Sequence, residues 1–168
     1  MDVIKTENAA ANPVAFQSLI SQWFSTRGGK SLPALEDYLS LPDHLGTYRI
    51  IAKITGELSV VYESVGESIE RLYGAPMSGK NLDELYNDWF RKQAYTGYKK
   101  VIKEKFPVYE RRSFATIIRP IGYHKMLLPF GDDAVTAVAA YIMPTDKKIH
   151  RRSHWEDIIK KTPWFGGE

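Results

Sequence analysis

Apolar residues along this chain recur with two periods. In "NPVAFQSLISQWFSTRGG", Phe16, Leu19, Ile20, Trp23 and Phe24 fall at i, i+3, i+4, i+7 and i+8, which predicts an amphipathic helix over 13–27. Asn12 can cap it, and Pro13 sits in the first turn, where its missing N–H costs nothing. Gly28 and Gly29 stop it. "SLPALEDYLSLPDHLG" is punctuated by proline and reads as a short helix and a turn.

The period then drops to two. "YRIIAKI" and "LSVVYES" read as paired strands joined through Thr55-Gly56-Glu57. In the first strand Ile50, Ala52 and Ile54 share one face, and Arg49, Ile51 and Lys53 the other. "GESIERLYG" is a short helix ended by Gly74. Asn81 and Glu84 have the spacing of a capping box. Beyond it the apolar positions, including Trp89, Phe90, Ala94, Tyr98 and Val101, predict a longer helix over roughly 88–105, ended by Pro107. Three strands follow: "VYERRSFATII", "GYHKMLLPF" and "AVTAVAAYIM". Gly131-Asp132-Asp133 between the last two is a hairpin signal. Ser153 and Glu156 repeat the capping pattern and open a final helix.

"LYGAPMSGKN" falls one residue short of a phosphate-binding loop. Such a loop needs G-x-x-x-x-G-K-[ST] between a buried strand and a helix. Here Asn81 stands at the last position, without a hydroxyl for magnesium. Charged, helix-like "SIERLY" precedes Gly74, and Pro76 removes a backbone donor. The stretch is therefore read as a turn, with no affinity for ATP expected. Gly74 ends one helix, Gly79 turns the chain, and Asn81 caps the next.

The order of elements, and the segments "YRI", "GESIERLYGAPMSGKNLDELY", "FPVYERRSF" and "YHKMLLPFGDDAVTAVAAYIM", resemble a family of small bacterial PAS proteins. Gly66, Gly74, Gly79, Lys80, Leu82, Leu85, Pro107, Leu128 and Pro129 match its pattern over about residues 45–144. The resemblance implies an α+β, PAS-like fold: a five-stranded antiparallel sheet with helices on one face. It implies a sensory or regulatory module with a small-molecule pocket between sheet and helices. Residues 1–44 would be an N-terminal helical extension and 145–168 a basic C-terminal tail with a short helix.

Composition narrows the chemistry. The chain has 168 residues, 43% hydrophobic and 26% charged, ordinary for one globular domain. It contains no cysteine, which removes disulfides, thiolate metal sites and cysteine-linked flavins or chromophores. A reducing cytoplasm fits that absence. The start of the chain has neither the basic region nor the apolar stretch of a secretory signal, and no apolar run approaches the roughly 18 residues of a membrane span. Residues 88–105 contain no histidine, which argues against a haem held from the long helix. No particular cofactor is implied, and His44, His124, His150 and His154 have no metal-ligand spacing. Net charge is +3, and the segment from Lys147 to Lys161 carries six Lys/Arg against Glu156 and Asp157. That tail reads as a solvated segment.

The candidate ligand-binding residues are Trp89, Tyr98, Phe114, His124 and Met126. The reasoning is alternation: with Lys125 in solvent, His124, Met126 and Leu128 would face the helices. Ordinary core packing is the competing reading of the same residues. Catalysis is not expected. The enzyme alternative is a ketosteroid-isomerase-like α+β cone, which a buried Asp in a strand would favour, and no predicted strand has one. A nucleic-acid adaptor would rest on the basic tail. Finally, Ile51, Val61 and Leu127 are expected on the sheet's other face. The N-terminal helix could cover them in its own subunit or in a second copy, and a homodimer through that helix is expected.

Overall fold

A computed structural model describes residues 14–42, 45–85, 88–115 and 120–144. The tail helix expected after Ser153 lies outside these residues. Helix α1 (Val14–Arg27) is followed by the short α2 (Leu35–Leu39). Strands β1 (Arg49–Thr55) and β2 (Ser59–Val65) form the first hairpin. Helix α3 (Glu67–Tyr73), a 3-10 turn (Leu82–Glu84) and α4 (Asp88–Glu104) come next. Strands β3 (Val108–Ala115), β4 (Pro120–Gly131) and β5 (Val135–Pro144) close the sheet.

The sheet has five strands in the order β2-β1-β5-β4-β3, and every pairing is antiparallel. The first hairpin thus pairs with the last strand through its older member, and β2 and β3 form the edges. All helices between β2 and β3 belong to one long crossover. This is the α+β, PAS-like fold. The interleaving of helices after the second strand, and the absence of Asp from all five strands, separate it from the cone.

The loop 74–81 does what a turn does. Gly74 closes α3 in the left-handed conformation (φ 86°), which a Cβ would strain. The backbone N–H groups of Met77 and Ser78 donate to one oxygen of Glu70, at 2.7 and 3.4 Å. Those amides already serve a carboxylate of the same chain. Tyr62 N–H donates to Lys80 O, and Gly79 N–H to Tyr62 O, so the loop also covers the β2 edge. The capping box forms as read: Asp83 N–H donates to Asn81 Oδ1 and Asn81 N–H to Glu84 Oε2. It caps a single 3-10 turn rather than a long helix.

One hydrophobic core runs from α1 to β5. The N-terminal helix belongs to it: Phe16, Leu19, Ile20 and Trp23 are buried, and Phe24 is half-buried against Phe106. Trp23 Nε1 donates to Pro129 O at 2.7 Å, which satisfies the indole deep in the core. Helices therefore pack on both faces of the sheet, with α1 opposite α4.

Candidate functional site

The two faces can be assigned from register. Residues paired across strands share a face, and residues one apart do not. Leu127 pairs with Val108 and Ala140, and Lys125 with Glu110 and Ile142. A Cβ added to Gly97 of α4 would stand 2.9 Å from Lys125 Nζ and 3.2 Å from Leu127 Cδ1. Lys125 and Leu127 therefore face α4. Met126 pairs with Tyr109 and Tyr141, whose rings lie 6.3 and 6.4 Å from the Phe16 ring. Met126 and its alternation partners His124 and Leu128 therefore face α1.

This reverses the expected register of β4. Lys125 is buried at 8% exposure, the one buried charged residue among those described, and His124 and Met126 turn away from the crossover helices. The expected site divides accordingly. Tyr98 is buried on the α4 side, whereas His124 and Met126 belong to the α1 side. Phe114 pairs with Ile121 in β3, and Trp89 lies in α4; their side chains lie outside the described residues. Leu127, expected on the outer face with Ile51 and Val61, is on the α4 face instead. Arg111 is exposed and pairs with His124 across the β3–β4 register, on the α1 side of the sheet.

The α4 face is the one that buries a charge. The Lys125 ammonium lies 5.9 Å from the Tyr98 ring centroid, a cation over an aromatic face. Tyr98 Oη donates to Tyr62 Oη at 3.4 Å. Gly97 leaves the space that the lysine stem fills, since a larger residue there would meet it. Burying an ammonium is unfavourable by several kcal/mol unless nearby groups replace its water. The aromatic ring and the hydroxyls on this face are what the fold supplies, together with Glu110 opposite in the β3–β4 register.

On the α1 face the buried tyrosine hydroxyls and His124 are tied to one another. Tyr38 Oη and Tyr141 Oη share a hydrogen bond of 2.8 Å. Tyr109 Oη and His124 Nδ1 share one of 2.7 Å, with the rings stacked at 5.9 Å. Phe16 meets the His124 ring edge-on at 6.4 Å. Burial holds the His124 pKa below its usual value, with the nearby Arg111 charge adding to it. Burial likewise raises Tyr109, and Arg111 opposes it. These are the features of a well-packed structural histidine.

Outside the core, α4 carries a feature that the chain's small net charge conceals. Lys92, Thr96, Lys99 and Lys103 stand at i, i+4, i+7 and i+11, and all are exposed. An open depression of about 510 Å³ lies beside them, lined by Leu58, Lys92, Tyr95, Thr96 and Lys99. Tyr95 Oη donates to Asp83 Oδ1 at 2.6 Å, and burial with that carboxylate pushes its pKa up to about 12. The helical spacing of these lysines is legible in sequence. It escapes a reading that sums charge over whole segments.

No group of His, Asp and Glu among the described residues could hold a metal ion, and none of the described helices is long and apolar enough to cross a membrane. No protein-family model and no curated protein matches the chain. Among solved structures it is similar to RsLOV, in a point variant: 15% identity over 62% of this chain and 64% of that one, with a TM-score of 0.45. It is also similar to an RNA-binding light-oxygen-voltage receptor: 16% identity over 65% of this chain and 32% of that one, with a TM-score of 0.41.

Proposed function

We propose that this chain is a non-catalytic sensory or regulatory module of the PAS type, which receives a small anionic molecule between its sheet and α4. Lys125 carries the reading. A lysine on a buried strand face costs stability that an aliphatic side chain would not, so its presence there points to a role in recognition. Tyr62 and Tyr98 supply hydroxyls on the same face, and Gly97 keeps the helix close without filling it. Tyr98 stays in the proposed site; Trp89 and Phe114 remain part of it as proposals, and His124 and Met126 leave it. The absence of cysteine fits a reducing cytoplasm.

Native mass spectrometry beside denaturing mass spectrometry of the purified chain tests this. The expected result is an added mass in the native spectrum that disappears on denaturation and is missing from Lys125→Met. A ligand retained in full by Lys125→Met would move the site elsewhere. A native mass equal to the bare chain, with no thermal shift from a panel of small carboxylates and phosphates, would reject it.

Assembly is part of the proposal. A second copy would meet the side of α1 where Phe24 is half-buried. Light scattering at micromolar concentration should give a dimer mass, and a monomer mass rejects it.

A further inference from the structure

We propose that the outer face of α4 and the depression beside it bind single-stranded nucleic acid through its phosphate backbone. This goes beyond ligand sensing and does not depend on it.

The arrangement begins with spacing. Taking Ala94, Gly97, Tyr98 and Val101 as the buried side of α4, about 100° per residue puts Lys92, Thr96, Lys99 and Lys103 close to diametrically opposite. An exposed helix face ordinarily mixes acids with bases, because Glu and Lys four apart stabilise each other. Here the row holds three lysines and a threonine and no carboxylate. Among the described residues none of the three ammonium groups has an ion-pair or hydrogen-bond partner. Lys99 and Lys103, like charges four apart, repel slightly, so the row is not there for helix stability.

The partner's chemistry follows from charge and shape. Lys92 to Lys103 spans about 16 Å along the axis, at about 1.5 Å per residue. At the roughly 3.4 Å per nucleotide of a stacked duplex strand, that is the reach of about five phosphates, and of fewer in an extended single strand. The depression between Lys92 and Lys99 has an apolar wall at Leu58 and an aromatic one at Tyr95. A basic track beside an aromatic surface is how single strands are held without sequence preference: lysines take phosphates, and a ring takes a base. The Asp83 hydrogen bond fixes the Tyr95 ring in place. An acidic protein segment would match the charge but has no use for the flat aromatic wall.

Fluorescence anisotropy with a labelled oligouridylate of about 12 nucleotides, on the full chain at several salt concentrations, tests the proposal. Binding should weaken steeply with salt. Replacing Lys92, Lys99 and Lys103 together by Gln should weaken it at least tenfold. It should also flatten the log–log salt slope by about 2, from about 0.7 per lost phosphate contact. All three side chains are exposed, so the melting temperature should hold, and circular dichroism checks that. Tyr95→Ala should weaken binding more than Tyr95→Phe. An unchanged affinity in the triple variant overturns the proposal. So does loss of binding only when the six cations of 147–161 are neutralised, which would give the site to the tail. No binding at low salt, or equal displacement by polyglutamate, overturns it too.

Discussion

The sheet's two faces are built differently. On the α1 face, four residues of one helical stripe sink into the sheet, and the polar atoms shown there pair with each other: Trp23 with Pro129, Tyr38 with Tyr141, Tyr109 with His124. On the α4 face a helix approaches through a glycine, and a lysine lies between it and the sheet. Apolar burial is worth about 25 cal/mol per Å², and an ammonium in the same place works against it. The α1 face therefore buries its helix stripe without a charge to offset. The α4 face gives up packing for a charge, which is the exchange expected where something is recognised.

The largest expected effects lie on the α1 face. Trp23→Ala removes a fully buried ring and leaves Pro129 O without its donor, so it should cost about 3–5 kcal/mol. Chemical denaturation followed by circular dichroism measures it. A loss below about 1 kcal/mol would mean that α1 is dispensable and that the contrast between the faces is false. Second comes Gly97→Leu, which places a side chain where a Cβ alone would already press on Lys125 and Leu127. Overpacking of this kind costs about 1–3 kcal/mol. A neutral result would show slack space between α4 and the sheet.

Most of the architecture was legible, and the failures share a cause. Helix 13–27 was readable because one stripe was apolar and the other face polar. The capping box at Asn81 and the stop at Gly74 were readable because each has a local geometric reason. The register of β4 was not. From Met126 to Phe130 every residue is apolar, because both faces of this central strand are covered, and alternation then carries no phase. Lys125 was the one phase marker nearby. The usual rule that lysine seeks water placed it outside, and every neighbouring assignment from His124 to Leu128 turned over with it. The β4 register turns at the single residue whose burial breaks a rule, and the same burial marks the proposed site.

Third in size is Lys125→Met. An unbranched apolar chain of similar length fills the same channel, and the half-buried Glu110 opposite can turn to water once the ammonium is gone, so stability should change by less than about 1 kcal/mol or should rise. Loss of 3 kcal/mol or more would make Lys125 a structural ion-pair member, and the two faces would then differ less than their composition implies.

The smallest effect concerns His124 and separates the faces by pH. Its pKa is lowered in the folded chain, mainly by burial and then by Arg111. The unfolded chain, near the usual 6.5, therefore takes up a proton first as pH falls. Where the unfolded state binds more protons, stability rises with pH. The contribution is thus fully present above about 6.5 and declines as pH falls from there through the lower folded value. In the protonated ring Nδ1 is a donor whichever tautomer precedes it, so the Tyr109 hydroxyl must then accept, while the Phe16 edge offers the new charge nothing. Denaturation midpoints at pH 7.5 and 5.5 should differ more for the parent than for His124→Gln, whose amide can accept the tyrosine proton without titrating. Equal pH dependence in both would assign the acid sensitivity to carboxylates elsewhere.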